Sequence, residues 1–138
     1  MPAFSKSSAA KLETCERALQ ELFEAVVKKV DCTIDTGHRT QEEQEKAFAV
    51  GNSDKHWPDG KHNTFPSLAV DVVPYAPDLD IWNVKDPAVQ IRWWTLVYCI
   101  LSIANTLNIP IRWGMDWNMD GDIADTKLRD WPHWELIR

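Results

Sequence analysis

The sequence predicts an α+β fold in which a small antiparallel sheet packs against helices. Three observations lead there. Stretches with helical periodicity alternate with short β-branched runs. The residues able to carry chemistry fall in a loop and in those short runs. No H-E-x-x-H helix is present to carry them instead. At 138 residues the chain makes one domain spanning 1–138, large enough to bury roughly two-thirds of its unfolded surface. No repeat, low-complexity tract or linker suggests a second module.

From Ser8 to Lys29, apolar residues recur at three- and four-residue steps (Leu12, Cys15, Leu19, Leu22, Val26), which predicts one amphipathic packing helix. Residues 31–35 set Cys32 and Ile34 against Thr33, the alternation of a short strand. Thr40 and Glu43 form a capping-box pattern and Gly51 stands where a helix would stop, so a second helix follows. Residues 52–67, with Asn, Asp, Pro and Gly and few aliphatics, read as a long loop holding His56 and His62. Leu68 to Val73 is a strand: alternation puts Leu68, Val70 and Val72 on one face and Ala69, Asp71 and Val73 on the other. Asp86 as N-cap and Pro87 at the first helical position open a long helix to about Leu107. Trp93, Trp94, Leu96, Val97, Ile100, Leu101 and Ile103 make it apolar nearly all round, as expected of a central core helix. Ile109 to Trp113 and His133 to Ile137 supply the last strands.

Composition excludes several classes. With 44% hydrophobic and 26% charged residues the chain is globular, and its net charge of −6 argues against a binder that tracks nucleic-acid phosphates. The uncharged stretch from Trp93 to Pro110 is interrupted by Thr95, Ser102, Asn105, Thr106 and Asn108, so a buried helix is expected and no membrane span. Cys15, Cys32 and Cys99 are odd in number, widely spaced and lack a C-x-x-C, which fits a reducing compartment better than a disulfide framework. The N-terminal Met-Pro-Ala-Phe-Ser-Lys-Ser-Ser has no apolar core of signal-peptide length. A monomer is expected.

Two stretches carry the chemistry. In His62-Asn-Thr-Phe-Pro-Ser-Leu-Ala-Val-Asp71 an imidazole in a loop precedes a carboxylate set among valines, which is expensive to bury unless something pairs with it. A metal ion is one such partner. Asp130-Trp-Pro-His133 supplies a second imidazole and a further carboxylate. His62, Asp71 and His133 would hold zinc with a fourth position open for water, whose pKa such coordination brings to about 7. Asp130, three residues before His133, can lie near the metal without ligating it and serve as general base. His56 is the substitute if His62 is not the loop ligand.

These stretches resemble the paired signatures of zinc D-Ala-D-Ala carboxypeptidases and the related L-alanyl-D-glutamate endopeptidases of phage endolysins. The resemblance runs from about Asp31 to Leu136, and its most specific pieces are His62 with Ala69-Val-Asp71, Arg112-Trp-Gly with Asp116-Trp, and Asp130-x-x-His133. The chain departs from the pattern at Gly60, where Ser is frequent, and at Pro66-Ser67, where relatives have Gly. The resemblance implies peptidoglycan stem peptides as substrate, cut at L-Ala-D-Glu. It also gives Arg39, between a strand and a helix start, the task of stabilising the oxyanion or binding a substrate carboxylate. With no signal or anchor and no separate cell-wall-binding module, it implies an endolysin made in the bacterial host cytoplasm and released to the wall at lysis.

Other readings stay open. A D-Ala-D-Ala carboxypeptidase or dipeptidase would share every candidate site residue, and a non-catalytic peptidoglycan-binding module could share the fold, although it would have no need of Asp130. Asp116, Asn118, Asp120 and Asp122, with Gly121 in sixth position, resemble the start of an EF-hand loop and suggest calcium, but Lys127 stands where a bidentate Glu belongs. An Asp/Asn/Gly turn capping itself is the plainer account. Trp57, Trp113, Trp117, Trp131 and Trp134 lie beside candidate residues, as cleft walls or as structure.

Overall fold

The computed structural model describes residues 2–138. Its elements are α1 (Lys6–Leu12), α2 (Arg17–Val27), β1 (Cys32–Thr36), α3 (Gln41–Ala49), a 3-10 turn (Lys61–Asn63), β2 (Ala69–Pro74), α4 (Pro87–Thr106), β3 (Ile111–Trp113) and β4 (His133–Leu136). The four strands form one antiparallel sheet in the order β1-β2-β4-β3. The α+β class and the antiparallel sheet agree with the sequence reading.

The single helix expected over 8–29 is two helices. Ser5 caps α1 through the Ser8 amide at 3.2 Å. The chain then leaves helical geometry because Thr14 and Glu16 pair with a distant segment: Ser67 N donates to Thr14 O at 2.8 Å and Glu16 N to Ser67 O at 2.9 Å. Leu12, Cys15, Leu19, Leu22 and Val26 are nonetheless all buried. Periodicity identified the right face, and tertiary backbone pairing interrupted the helix.

Thr40 and Glu43 close the expected capping box on α3, and the Asp86 carboxylate accepts from Ala88 N at 2.9 Å to start α4. That long helix is not apolar-surrounded as expected. Trp93, Leu96, Val97, Ile100 and Ala104 are buried, but Ile91 and Tyr98 are each 65% exposed and Leu101 lies outside the core as well. A small domain has room for only one side of the helix on its sheet and α2.

The sheet divides its chemistry by face. Ile34, Val70, Val72, Ile111, Trp113, Trp134 and Leu136 join α2 and α4 in one hydrophobic core, where Trp113 and Trp134 stack 5.7 Å apart at 12°. The opposite face carries Asp71, His133, Glu135 and Arg112. Register makes neighbours of them: Asp71 lies opposite His133, Ala69 opposite Glu135, and Arg112 opposite Glu135. On α1 the buried Ser8 hydroxyl accepts from Ile34 N at 3.1 Å, which covers the β1 edge that would otherwise be open.

Candidate active site

Each side chain of the site is placed by a different element. The strand pair β2–β4 sets Asp71 directly across from His133. The 3-10 turn delivers His62 to the same point, its backbone carbonyl accepting from Arg39 N at 2.8 Å. One ligand atom from each of His62, Asp71 and His133 lies within 4.8 Å of the others, and all three residues are buried.

The ring nitrogens are assigned by their partners. His62 Nδ1 donates to the Gly37 carbonyl at 2.7 Å, which turns Nε2 toward Asp71 Oδ1 at 3.2 Å. His133 is reversed: Nε2 meets Glu135 Oε1 at 2.9 Å, and Nδ1 faces Asp71 Oδ1 at 3.2 Å. Two imidazole nitrogens and a carboxylate oxygen converge, each imidazole held on its far side by an oxygen. Three such donors could hold one metal cation.

The electrostatics follow from burial and pairing. Burial would raise the Asp71 carboxyl, but the two imidazoles outweigh it and hold the group well below the usual carboxylate range. For His133, burial lowers the pKa while the bonds to Asp71 and Glu135 raise it, with a result of about 9. The ring bridges the two carboxylates, and a metal cation held by His62, Asp71 and His133 would take the place of the Nδ1 proton. Asp130 is pushed up to about 6, by burial first and then by the charge of Asp71, with His133, His62 and Arg39 opposing.

Asp130 stands where a base can work. Its Oδ2 is 3.9 Å from His133 Nδ1, outside the convergent triad, and the side chain is 38% exposed. Its position depends on Gly114, whose N donates to His133 O at 2.8 Å and whose O accepts from Asp130 N at 2.9 Å. A Cβ at Gly114 would fall on the Asp130 carbonyl and within 2.9 Å of the Asp130 and His133 Cβ atoms. Arg39 reaches Asp71 Oδ2 at 3.5 Å with Nη2 and Gln44 Oε1 at 3.4 Å with Nη1.

The triad, Asp130 and Arg39 line one open cleft of about 690 Å3. His56 is elsewhere: its Nδ1 pairs with Glu45 Oε2 at 2.8 Å and its ring lies on Phe48. Of the five tryptophans considered as walls, Trp117 lines the cleft, with its ring 5.4 Å from that of His133. Trp113 and Trp134 belong to the core, Trp131 packs against it, and Trp57 is exposed.

The 116–122 loop satisfies itself. Asp116 accepts from Asp120 N and Gly121 N, Asp120 from Asp122 N, and Asp122 from Ala124 N. These are the bonds of an Asp/Asn turn.

Three residues escaped the sequence reading. Glu135 is buried and serves His133 on one oxygen and Lys61 and Arg112 on the other. Gln44, also buried, donates to Ser53 Oγ and the Lys55 carbonyl and accepts from Asn63. Lys61 also donates to the Leu136 carbonyl at 3.0 Å. For Glu135 the signal was available: it is a carboxylate in an apolar strand, two residues from a candidate ligand and so on the same face.

Fold and site together define the class: an α+β domain with a candidate metal centre in an open cleft. The family model for phage L-alanyl-D-glutamate peptidase matches residues 2–137, and the chain belongs to that family of peptidases. It is 30% identical over 140 residues to the L-alanyl-D-glutamate peptidase of Escherichia phage T5, covering 97% of each chain. Its fold is similar to that of the L-Ala D-Glu endopeptidase ChiX of Serratia marcescens, with a TM-score of 0.72 at 19% identity, covering 99% of this chain and 91% of that one.

Proposed function

We propose that this protein is a zinc-dependent endolysin that hydrolyses the L-Ala-D-Glu bond of peptidoglycan stem peptides. One observation carries the reading: His62 Nε2, Asp71 Oδ1 and His133 Nδ1 converge at the cleft floor, with the Asp130 carboxylate next to them and outside the set. The names of the relatives support the bond assignment.

His62, Asp71 and His133 would hold the cation, which when bound supplies a Lewis acid able to make water nucleophilic near neutral pH. Asp130 takes the proton of the attacking water and passes it to the leaving amine, so that no covalent intermediate forms on the chain. Arg39 lies within reach of Asp71 and offers guanidinium hydrogens to the oxygen that gains charge. The protein acts as a monomer, made in the host cytoplasm and released to the wall at lysis. No helix among the described residues is long and apolar enough to cross a membrane.

The test is mass spectrometry of purified muropeptides together with metal analysis of the protein. Loss of whole stem peptides beyond L-Ala, with one zinc per chain, is the expected result. Loss of a terminal D-Ala would make the enzyme a carboxypeptidase, and sacculus binding without cleavage would make it a binding module.

For the loop built on Asp116, Asn118, Asp120 and Asp122 we propose weak calcium binding. Asn118 Nδ2 donates to Asp120 Oδ2 at 3.0 Å and to Asp125 Oδ2 at 3.2 Å, which sets two carboxylates side by side, and a cation would relieve that pair. Calorimetry should show heat at millimolar calcium. No heat, with activity unchanged by selective chelation, would leave a plain turn.

A further inference from the structure

We infer that Glu135 is a positioning residue that decides which nitrogen His133 presents to the metal. The inference rests on the metal centre proposed above. His133 and Glu135 alternate on one face of β4, so a carboxylate two residues along the strand can reach the far side of the ring. Asp71 lies directly across from His133 on β2, close enough for the nitrogen nearer the backbone to face it. Thus Nδ1 points into the triad at 3.2 Å from Asp71 Oδ1, while Nε2 is taken by Glu135 Oε1 at 2.9 Å. A half-turn of the ring about χ2 would break both contacts.

The carboxylate is itself fixed. Glu135 is 4% exposed, and its second oxygen receives Arg112 Nη2 at 2.7 Å and Lys61 Nζ at 3.1 Å. Arg112 comes from the neighbouring strand β3, opposite Glu135 in register. Lys61 comes from the turn that carries His62, and it also holds the Leu136 carbonyl. The elements that bring the two imidazoles are therefore joined through one buried carboxylate. Lys61 and Arg112 line the cleft, but both are committed to Glu135, and in this assignment they act through His133.

The experiment measures zinc affinity by chelator competition and reads the His133 nitrogens by long-range 1H–15N correlation of the zinc-loaded protein. Unsubstituted protein should show metal at Nδ1 and a proton on Nε2. Glu135→Ala should bind zinc about 10–100-fold more weakly and show a second ring orientation or a mixed nitrogen signature. Glu135→Gln should recover most of the affinity with the original signature, because its amide oxygen still accepts from Nε2–H. Arg112→Met combined with Lys61→Met should weaken zinc binding in the same direction, which keeps the test open if Glu135→Ala does not fold. Wild-type affinity and an unchanged signature in Glu135→Ala, or in the double variant should the alanine variant not fold, would overturn the role of Glu135 while leaving the metal centre standing. Failure of the unsubstituted protein to take up zinc would overturn both.

Discussion

Asp130 and His133 are three residues apart and carry different proposed roles, base and metal ligand, which single substitutions separate. Asn is nearly the size of Asp, so Asp130→Asn should keep the fold and the zinc yet cut stem-peptide release roughly 10²–10⁴-fold, the loss expected on removing a general base. Zinc content measured beside the cleavage rate checks this, and wild-type cleavage by Asp130→Asn would remove the mechanism. His62→Ala should instead lose zinc and activity together. His56→Ala should retain both, since His56 is paired with Glu45 on the outside of α3. Metal analysis showing full zinc in His62→Ala and none in His56→Ala would reverse the assignment of the loop ligand.

The helix that follows Arg39 begins with a reciprocal cap. Glu43 N donates to Thr40 Oγ1 at 3.2 Å, and Thr40 N donates to Glu43 Oε1 at 3.0 Å. Thr40→Ala should destabilise the protein by about 0.5–2 kcal/mol in urea unfolding. The Glu43 half of the box carries a pH signature. Hydrogen bonds from the Thr40 backbone first and its side chain second hold the Glu43 carboxyl below its ordinary value. A carboxyl depressed in the folded state releases its proton more readily there, so its contribution is complete above the ordinary Glu range and disappears as pH falls through the folded value. The stability difference between wild type and Glu43→Gln should therefore be present at neutral pH and close on acidification. A difference independent of pH would mean that the ionised carboxylate adds nothing to the cap.

Across the whole molecule, one sheet serves two environments, and perturbing either should be felt in global stability. Trp134 is buried among Trp113 and the α2 and α4 side chains, so Trp134→Ala should cost about 3–5 kcal/mol. From the other face, zinc at a hundred times its dissociation constant should stabilise the fold by about 2.7 kcal/mol, seen as a Tm several degrees higher and reversed by chelator. An unchanged Tm on adding zinc would mean that the cation does not bind the folded triad.

Local pattern alone determined a good deal of this protein. Alternation in Leu68–Val73 set Asp71 on the face away from Val70 and Val72, and that is where it lies. The Asp130-x-x-His133 spacing announced a carboxylate beside a candidate ligand, and the two lie 3.9 Å apart; the caps at Thr40 and Asp86 started their helices as written. Only the tertiary structure decided the rest. Ser67, 52 residues after Cys15, broke the first helix there by pairing with its backbone. The path of the 52–67 loop brought His62 to Asp71 and left His56 beside Glu45. The register of β2 on β4 brought Asp71 across from His133, 62 residues away, and with it gave Glu135 the far nitrogen of the ring. Periodicity and capping are written in side chains a few residues apart, whereas register, loop closure and the partner of a buried carboxylate depend on segments that meet only when the core closes.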